Sequence, residues 1–290
     1  MASSRNKLTL KSPAKINLGL RIIKKRADGY HDIETIFQMI SIFDTLTFRQ
    51  CGSGIVFKTN HKNLPLDGNN FVVKAAKLLL QEAEVKQGVE IFLKKTIPIG
   101  AGLGGGSSNA AFTLIGLNNF FQLNLNKKDL LKIALKLGSD VPFFLYGSTA
   151  LGRGRGEILT SLKLKKHINL HVVVVFPGFF ISTGSVYEDF KFGLTSNSKD
   201  NNILAPFFEK GDTAELGFCL INDLEVIVCK KYPILSKIKK KLVKFGAIGA
   251  QVSGSGSSVF GLFLQRESAI IAAEKLKMKD WQVFLAKTID

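Results

Sequence analysis

Apolar and polar residues alternate in the first well-patterned segment of the chain, residues 15–22. Ile16 and Leu18 fall on one face and Lys15 and Asn17 on the other, which is the period of a strand with one buried face. Lysine on a strand is usually solvated, so the pattern alone favours an exposed Lys15.

The rest of the first half predicts short strands and three helices. Asn70 and Asn126 stand where helix N-caps are expected, and Gly138 follows the last apolar residue of the third helix. The predicted strands are residues 35–42, 44–48, 54–58 and 89–93, and the predicted helices are residues 71–84, the run that ends at Phe121, and residues 127–137.

Beyond about residue 160 the order of elements changes to strand, helices, strand, strand, helix, strand. This is the split βαβ plan of a ferredoxin-like domain. The sequence therefore predicts an α+β chain of two domains, residues 1–162 and 163–290. The elements of the second half are strands at 168–176, 247–252, 258–264 and 281–286, and helices at 200–210, 222–231, 234–245 and 267–277.

A glycine-rich segment lies between the strand at 89–93 and the second helix. Five of the nine residues from Gly100 to Ser108 are glycine. Glycines let successive backbone N–H groups turn toward one point, and a helix N-terminus adds unpaired N–H groups and the positive end of its dipole. We therefore predict a phosphate site, with Ser107 or Ser108 as the helix cap. The alternative is a glycine-rich hairpin beside another element, but a strand before the segment and a helix after it favour the phosphate loop.

Two common phosphate loops do not fit this segment. Gly100, Gly102 and Gly105 match the spacing of a dinucleotide-binding loop, but that loop usually lies in an opening βαβ unit. A P-loop carries lysine after its last glycine, where this chain has Ser107. A cation for the phosphate must therefore come from elsewhere in the chain.

The chain is strongly basic, with a formal net charge of +17 and a pI near 9.8. Such a charge is typical of nucleic-acid-binding proteins, but the basic residues are dispersed and no RNA-binding signature accompanies them. A positive field also attracts polyanionic small molecules. We expect a small-molecule substrate rather than a nucleic acid or a membrane.

The remaining composition points to a cytoplasmic protein. No apolar run reaches the roughly 18 residues of a membrane span, and the residues before the first predicted site are too few for a targeting peptide and a strand. Cys51, Cys219 and Cys229 are scattered without the spacing of a metal site, so we expect reduced thiols.

Five segments follow one another along the chain: Pro-Ala-Lys-Ile-Asn-Leu (13–18), Arg-Ala-Asp-Gly-Tyr-His (26–31), Gly-Leu-Gly-Gly-Gly-Ser-Ser-Asn (102–109), Ser-Asp-Val-Pro (139–142) and Gly-Glu-Ile-Leu-Thr (156–160). In this order they resemble the GHMP kinases, which are small-molecule kinases with neither a P-loop nor a protein-kinase fold. In combination they are similar to the branch that phosphorylates 4-diphosphocytidyl-2-C-methyl-D-erythritol. The second half resembles the family more loosely, in its strand order and in residues 254–257.

The resemblance implies a two-domain GHMP kinase fold. The N-terminal domain would be like domain 2 of ribosomal protein S5 and would bind ATP, and the C-terminal domain would be ferredoxin-like. The implied reaction is phosphoryl transfer from ATP to the 2-hydroxyl of the cytidyl compound, a step of the non-mevalonate (MEP) pathway to isoprenoid precursors. Mg²⁺ would be held mainly through the nucleotide phosphates, so no protein residue is assigned as a metal ligand.

The resemblance also implies roles for individual residues. Lys15 and Asp140 would be the catalytic pair, with Asp140 accepting or orienting the hydroxyl proton and Lys15 neutralising phosphoryl oxygens. From its local sequence, Asp140 is equally typical of a turn or cap. The substrate contacts would be Asn17, Tyr30, His31 and Thr183. The ATP contacts would be Asn70, Pro98, Ile99, Gly100, Ala101, Gly102, Leu103, Gly104, Gly105, Gly106, Ser107 and Ser108.

Two other functions stay open at this point. One is a GHMP kinase that acts on a different alcohol, which a panel of substrates would distinguish. The other is a basic RNA-binding module, whose affinity would fall steeply with salt and would not respond to ATP.

Overall fold

The computed structural model describes residues 7–162, 169–190 and 215–289. Within these ranges the chain forms two compact units. The first consists of the described residues up to Ala14, Ile42–Ile97 and Gly104–Tyr146, and the second of Lys15–Ser41, Pro98–Leu103 and the described residues from Gly147 onward. A boundary at residue 162 stays a prediction, since residues 163–168 lie outside the described ranges.

Helices and strands are mixed, as the α+β prediction requires. The strands are β1 (Lys7–Lys25), β2 (His31–Cys51), β3 (Ile55–Thr59), β4 (Gly88–Lys94), β5 (Thr149–Arg153), β6 (Ile158–Thr160), β7 (His171–Phe176), β8 (Ile221–Asn222), β9 (Gly249–Val252), β10 (Val259–Phe263) and β11 (Gln282–Lys287). The helices are α1 (Phe71–Glu82), α2 (Gly105–Phe120), α3 (Lys127–Leu137), α4 (Val141–Tyr146), α5 (Thr183–Glu188), α6 (Glu225–Lys231), α7 (Pro233–Lys244) and α8 (Arg266–Leu276).

In the first unit the strands stand in the order β3-β4-β2. Helices α1 to α4 pack against one another, and α1 also contacts β3. Strand β4 pairs in parallel with β3 and antiparallel with β2. Helix α2 approaches β2 closely at Gly116, where a Cβ would lie 2.3 Å from the ring of Phe48. Glycine at this position therefore lets the helix that follows the glycine loop pack directly against the sheet.

Capping residues set the start of α1 and both ends of α3 as the sequence predicts. The Asn70 side chain accepts a hydrogen bond from the N–H of Val72 at the start of α1. The Asn126 side chain accepts from the N–H groups of Lys128 and Asp129 at the start of α3, and α3 ends at Gly138. These caps satisfy N–H groups that have no partner within the helix.

The second unit contains a four-stranded sheet in the order β11-β7-β10-β9, in which each neighbouring pair is antiparallel. Helices α7 and α8 pack against it. Apolar residues of both layers form its core, including Val173, Val259, Leu235 and Leu242, which are fully buried. Numbered along the chain, the strands stand in the order 4-1-3-2, which confirms the predicted ferredoxin-like plan. The predicted helix at residues 200–210 lies outside the described residues.

Several predicted elements differ in extent from those observed. The strands predicted at 35–42 and 44–48 are parts of the single strand β2. The helix predicted from Asn222 begins at Glu225 instead, because Asn222 belongs to β8 and its side chain accepts from the N–H of Leu224.

The three cysteines lie among the described residues. Cys51, Cys219 and Cys229 form no disulfide. Among the described helices, none combines the length and the apolar character that a bilayer crossing requires.

Candidate active site

The glycine segment forms a loop whose backbone only glycine adopts readily. Gly100, Gly102 and Gly104 have φ of 62°, 76° and 66°, in the left-handed region. At Gly102 a Cβ would lie 2.0 Å from the carbonyl oxygen of Ser253. The glycines are therefore needed for both their conformation and the close approach of another backbone segment.

Helix α2 begins earlier than the sequence predicts. Its N-cap is Gly104, and Ser107 and Ser108 lie within its first turn, so the prediction that one of these serines caps the helix is wrong. The left-handed Gly104 turns the chain into the helix before either serine is reached. The hydroxyl of Ser108 is buried 2.8 Å from that of Ser12, whereas Ser107 is half-buried.

A buried carboxylate joins the two ends of the glycine loop within the first unit. Asp44 Oδ1 accepts from the N–H groups of Thr96 and Ile97, at 2.7 and 2.8 Å. Its Oδ2 accepts from the side chains of Lys95 and Asn109, at 2.7 and 2.9 Å. Thr96 and Ile97 precede the loop and Asn109 follows it, so one side chain fixes the separation of its ends. Sequence reasoning missed Asp44, which looked like the start of a strand.

Lysine 95 carries a buried ammonium group next to this loop. Its side chain is 4% exposed, and a Cβ on Gly105 would lie 3.0 Å from its Nζ. Burial lowers the pKa of Lys95, while the charge and hydrogen bond of Asp44 act in the opposite direction. Gly105, the first residue of α2, has no side chain and therefore leaves space next to it for the Lys95 ammonium group.

Lysine 15 lies in the second unit and is attached to the other part of the loop. Its backbone N–H donates to the carbonyl oxygen of Leu103 at 2.9 Å. Its Nζ donates to Asn17 Oδ1 at 2.7 Å and lies 5.5 Å from the centre of the Phe37 ring. Lys15 is 5% exposed, so the expectation of a solvent-exposed face on β1 is wrong. Both faces of this part of β1 are buried because polar partners cover the face that alternation marks as exposed.

A serine and glycine loop at residues 253–258 connects several of the predicted residues within the second unit. Ser253 Oγ donates to the carbonyl oxygen of Gly102 at 2.9 Å. A Cβ on Gly254 would lie 3.3 Å from Asn17 Oδ1, and the hydroxyl oxygens of Ser255 and Thr183 are 2.9 Å apart. Sequence reasoning noticed this loop but assigned it no role. Its signal was the Gly254-Ser255-Gly256 run between two strands, which permits close backbone approach.

Tyrosine 30 presents an exposed ring with a cation stacked on it. The side chain is 56% exposed, and the Arg155 guanidinium lies 5.0 Å from the ring centre. Arg153, the last residue of β5, pairs with Glu34 of β2 at 3.1 Å, directly before the turn that carries Arg155. The exposed Tyr30 ring thus has the Arg155 guanidinium as a partner, and its contact with the substrate stays a prediction.

Histidine 31 is buried between aromatic rings of the second unit. Its ring centre is 5.3 Å from that of Tyr187 and 6.4 Å from that of Phe190. Burial, with a smaller effect of the Lys25 charge, lowers the pKa of His31 below its usual value. Tyr187 lies on α5, the helix that Thr183 begins, and sequence reasoning missed it.

Asp140 lies in the first unit, directly before α4, and is half-buried. The ring of Phe71 connects its loop to the start of α2, because a Cβ on Gly138 would lie 3.9 Å from the ring and a Cβ on Gly106 would lie 3.3 Å from it. The Asn70 amide is occupied by the N–H of Val72 and the carbonyl of Pro65. Its contact with adenine stays a prediction.

The predicted site residues are divided between the two units. The second contains Lys15, Asn17, Tyr30, His31 and Thr183 together with the first part of the glycine loop. The first contains the helix N-terminus that continues the loop, together with the carboxylate of Asp140. A backbone anion site, a buried cation and a carboxylate are the groups that phosphoryl transfer to an alcohol requires.

Two family models match the chain. The model described as GHMP kinases N terminal domain matches residues 70–148, and that described as GHMP kinases C terminal matches residues 204–280. The first range includes the glycine loop and Asp140.

Relatives that match almost the whole chain identify its branch within the family. A protein of Pelotomaculum thermopropionicum named 4-diphosphocytidyl-2-C-methyl-D-erythritol kinase is 43% identical over 98% of both chains. One of the same name from Syntrophomonas wolfei is 39% identical over 97% of this chain and 98% of the relative. The crystal structure of a 4-(cytidine 5'-diphospho)-2C-methyl-D-erythritol kinase is 33% identical and matches 98% of this chain and all of its own with a TM-score of 0.83. The chain therefore belongs to the GHMP kinases, within the 4-diphosphocytidyl-2-C-methyl-D-erythritol kinases.

Proposed function

We propose that this chain transfers the γ-phosphoryl group of ATP to the 2-hydroxyl of 4-diphosphocytidyl-2-C-methyl-D-erythritol, in the cytoplasm, as a step of isoprenoid precursor synthesis. The observation that carries the proposal is the placement of Lys15. Its backbone is bonded to the glycine loop and its buried ammonium faces Asn17 within the same unit. A cation held next to a backbone phosphate site supplies the charge that the glycine loop itself lacks.

Lys15 stabilises the phosphoryl oxygens during transfer. A loose phosphoryl-transfer transition state spreads charge over these oxygens, so catalysis depends on fixed positive groups. Because Lys15 is only 5% exposed, little water surrounds its ammonium group, and its charge acts in a medium of low dielectric constant.

Asp140 accepts or orients the proton of the attacking hydroxyl. Its loop adjoins the first turn of α2 through the Phe71 ring. A half-buried carboxylate can accept a hydrogen bond from an alcohol and hold its oxygen in line with the phosphoryl group.

The glycine loop and the first turn of α2 bind the phosphates of ATP. The left-handed glycines leave no Cβ between backbone and ligand, and the first N–H groups of α2 have no acceptor within the helix. This cradle would hold a nucleotide whose phosphates carry Mg²⁺, and the half-buried Ser107 would contact the nucleotide. The ion neutralises charge on the transferring group when bound.

Four residues of the second unit bind the substrate: Asn17, Tyr30, His31 and Thr183. The exposed Tyr30 ring stacks on the cytosine, and the neutral His31 offers a polar contact to its edge. Thr183 and Asn17 meet the alcohol part, since both border the loop at residues 253–258.

Release of ADP against a panel of alcohols tests this proposal. We expect turnover with the cytidyl compound and at least about a hundredfold lower kcat/KM with homoserine or mevalonate, as for a site whose polar groups are left unpaired. Equal turnover with all three, or none with the cytidyl compound, would overturn the substrate assignment.

A further inference from the structure

We propose that Thr35 is a positioning residue for Lys15, because it holds in place the Asn17 amide that accepts from the Lys15 ammonium. The inference rests on the proposed role of Lys15 in phosphoryl transfer. Thr35 lies on β2, outside the five motif segments, and no role follows for it from the motifs.

Three side chains and one carbonyl form a continuous row of hydrogen bonds. Lys15 Nζ donates to Asn17 Oδ1 at 2.7 Å, and Asn17 Nδ2 donates to Thr35 Oγ1 at 2.8 Å. Thr35 Oγ1 in turn donates to the carbonyl oxygen of Gly19 at 2.7 Å. We call this row the Lys15 relay.

The Gly19 carbonyl, at one end of the Lys15 relay, determines which group donates and which accepts in every bond. The Gly19 carbonyl can only accept, so the single hydroxyl proton of Thr35 is directed to it. The Thr35 oxygen can then only accept from Asn17, which must offer its NH₂ group there and its Oδ1 on the other side. Asn17 Oδ1 is therefore presented to the ammonium of Lys15, which can only donate.

Burial makes these bonds hard to replace with water. Lys15, Asn17 and Thr35 are 5%, 2% and 0% exposed. Gly254 also lies against the amide, since a Cβ there would be 3.3 Å from Asn17 Oδ1 and 3.7 Å from Lys15 Nζ. An exposed amide that loses one partner forms a hydrogen bond to water instead. A buried amide cannot do so and keeps the full cost of its desolvation.

Removal of the Thr35 hydroxyl leaves both orientations of the buried Asn17 amide unfavourable. Without it, the NH₂ group has no acceptor at that end, and the reversed amide would place two donors, NH₂ and NH₃⁺, against each other. Lys15 would then move from its position, and a displacement of about 1 Å at a reacting group can cost on the order of a hundredfold in rate.

Steady-state kinetics of two variants test the Lys15 relay. We expect Thr35→Val, which keeps the shape and loses the hydroxyl, to lower kcat about tenfold to a hundredfold with little change in KM for ATP. Thr35→Ser keeps the hydroxyl and should recover most of the lost rate. Thr288→Val is the matched control, because Thr288 is also buried and its hydroxyl oxygen accepts from the Leu170 N–H, outside the relay. Equal losses for Thr35→Val and Thr35→Ser, or a rate for Thr35→Val equal to that of the control, would overturn the proposal.

A double-mutant cycle separates positioning from a purely structural effect. If Thr35 acts through Asn17, adding Thr35→Val to Asn17→Ala should cost much less than it costs in the wild-type chain. A full additional loss of rate in the Asn17→Ala background would show that Thr35 acts by another route.

A measurement without substrate keeps this inference distinct from the proposed function. In the unliganded protein, the Asn17 side-chain NH₂ signal should exchange slowly with solvent, and Thr35→Val should accelerate that exchange while Thr35→Ser should not. Fast exchange in the wild-type protein would refute the relay, whereas failure to phosphorylate the cytidyl compound would refute only the proposed function.

Discussion

The hydroxyl oxygens of Ser12 and Ser108 lie 2.8 Å apart, although 96 residues separate them in the chain. Both serines are fully buried, and Ser12 Oγ also accepts from Asn109 Nδ2 at 2.9 Å. The Ser108 hydroxyl is therefore used within the protein. Ser107, its neighbour in the first turn of α2, is half-buried, so we expect Ser107 rather than Ser108 to contact the nucleotide.

We expect alanine at these two serines to have different effects. Ser107→Ala should lower kcat/KM for ATP about tenfold or more, as for a lost hydrogen bond to a charged group, with little change in stability. Ser108→Ala should lower the free energy of unfolding by about 1–3 kcal/mol, because it leaves a buried partner unsatisfied. ATP titrations and urea unfolding of both variants measure these effects, and a larger loss of kcat/KM in Ser108→Ala would reverse the assignment.

The glycine loop should tolerate no Cβ at Gly102. Gly102→Ala would place a Cβ 2.0 Å from the Ser253 carbonyl in addition to straining φ of 76°. Gly29 is a matched control with φ of 84° and nothing within 4 Å of its Cβ position. We expect Gly29→Ala to cost about 1–2 kcal/mol of stability, the strain of a left-handed alanine, and Gly102→Ala to cost more and to weaken ATP binding. Equal unfolding midpoints for the two variants would contradict the close approach.

The buried Asp44 and Lys95 pair should respond strongly to removal of one partner. Asp44→Ala leaves a buried ammonium without its carboxylate and should cost about 3–5 kcal/mol. Asp44→Leu combined with Lys95→Met should recover part of that loss, since no charge remains unpaired. Glu90→Gln, in the exposed pair with Lys58, serves as the control and should cost less than about 1 kcal/mol. Equal costs at Asp44 and Glu90 in urea unfolding would show that the buried cluster is not important for stability.

Acidification should weaken the fold through His31. Its pKa is lowered in the folded state, so below its usual value of 6.5 the unfolded chain binds the proton more readily than the folded chain does. Stability must then fall as the pH drops from about 7 through that value and level off below the folded-state pKa. His31→Gln should lose this component of the pH dependence in urea unfolding. A wild-type midpoint that rises on acidification relative to His31→Gln would contradict the sign.

Local signals explain why some elements were predictable. The ends of α3 follow from Asn126 and Gly138, because a cap and a stop act through bonds within a few residues. The ferredoxin-like order follows from the alternation of apolar strands and amphipathic helices. The glycine loop follows from the concentration of residues that can adopt left-handed φ.

Distant partners explain what the sequence missed. Asp44 interrupts an apolar strand, and its burial depends on N–H groups more than 50 residues away, at Thr96 and Ile97. Lys15 is buried for a similar reason. Asn17 lies on the same face of β1, but the Phe37 ring becomes a neighbour of Lys15 only when β1 and β2 pair. Periodicity records which face of a strand is apolar, but not whether other residues cover its polar face.

The transfer of label from γ-labelled ATP in a single turnover tests the central claim most directly. We expect label to appear on the 2-oxygen of 4-diphosphocytidyl-2-C-methyl-D-erythritol with the wild-type chain, and to appear on the order of 10² to 10⁴ times more slowly with Asp140→Asn at unchanged ATP affinity, as for a lost positioned base. Label found only as inorganic phosphate, or an Asp140→Asn rate equal to that of the wild type, would contradict the account.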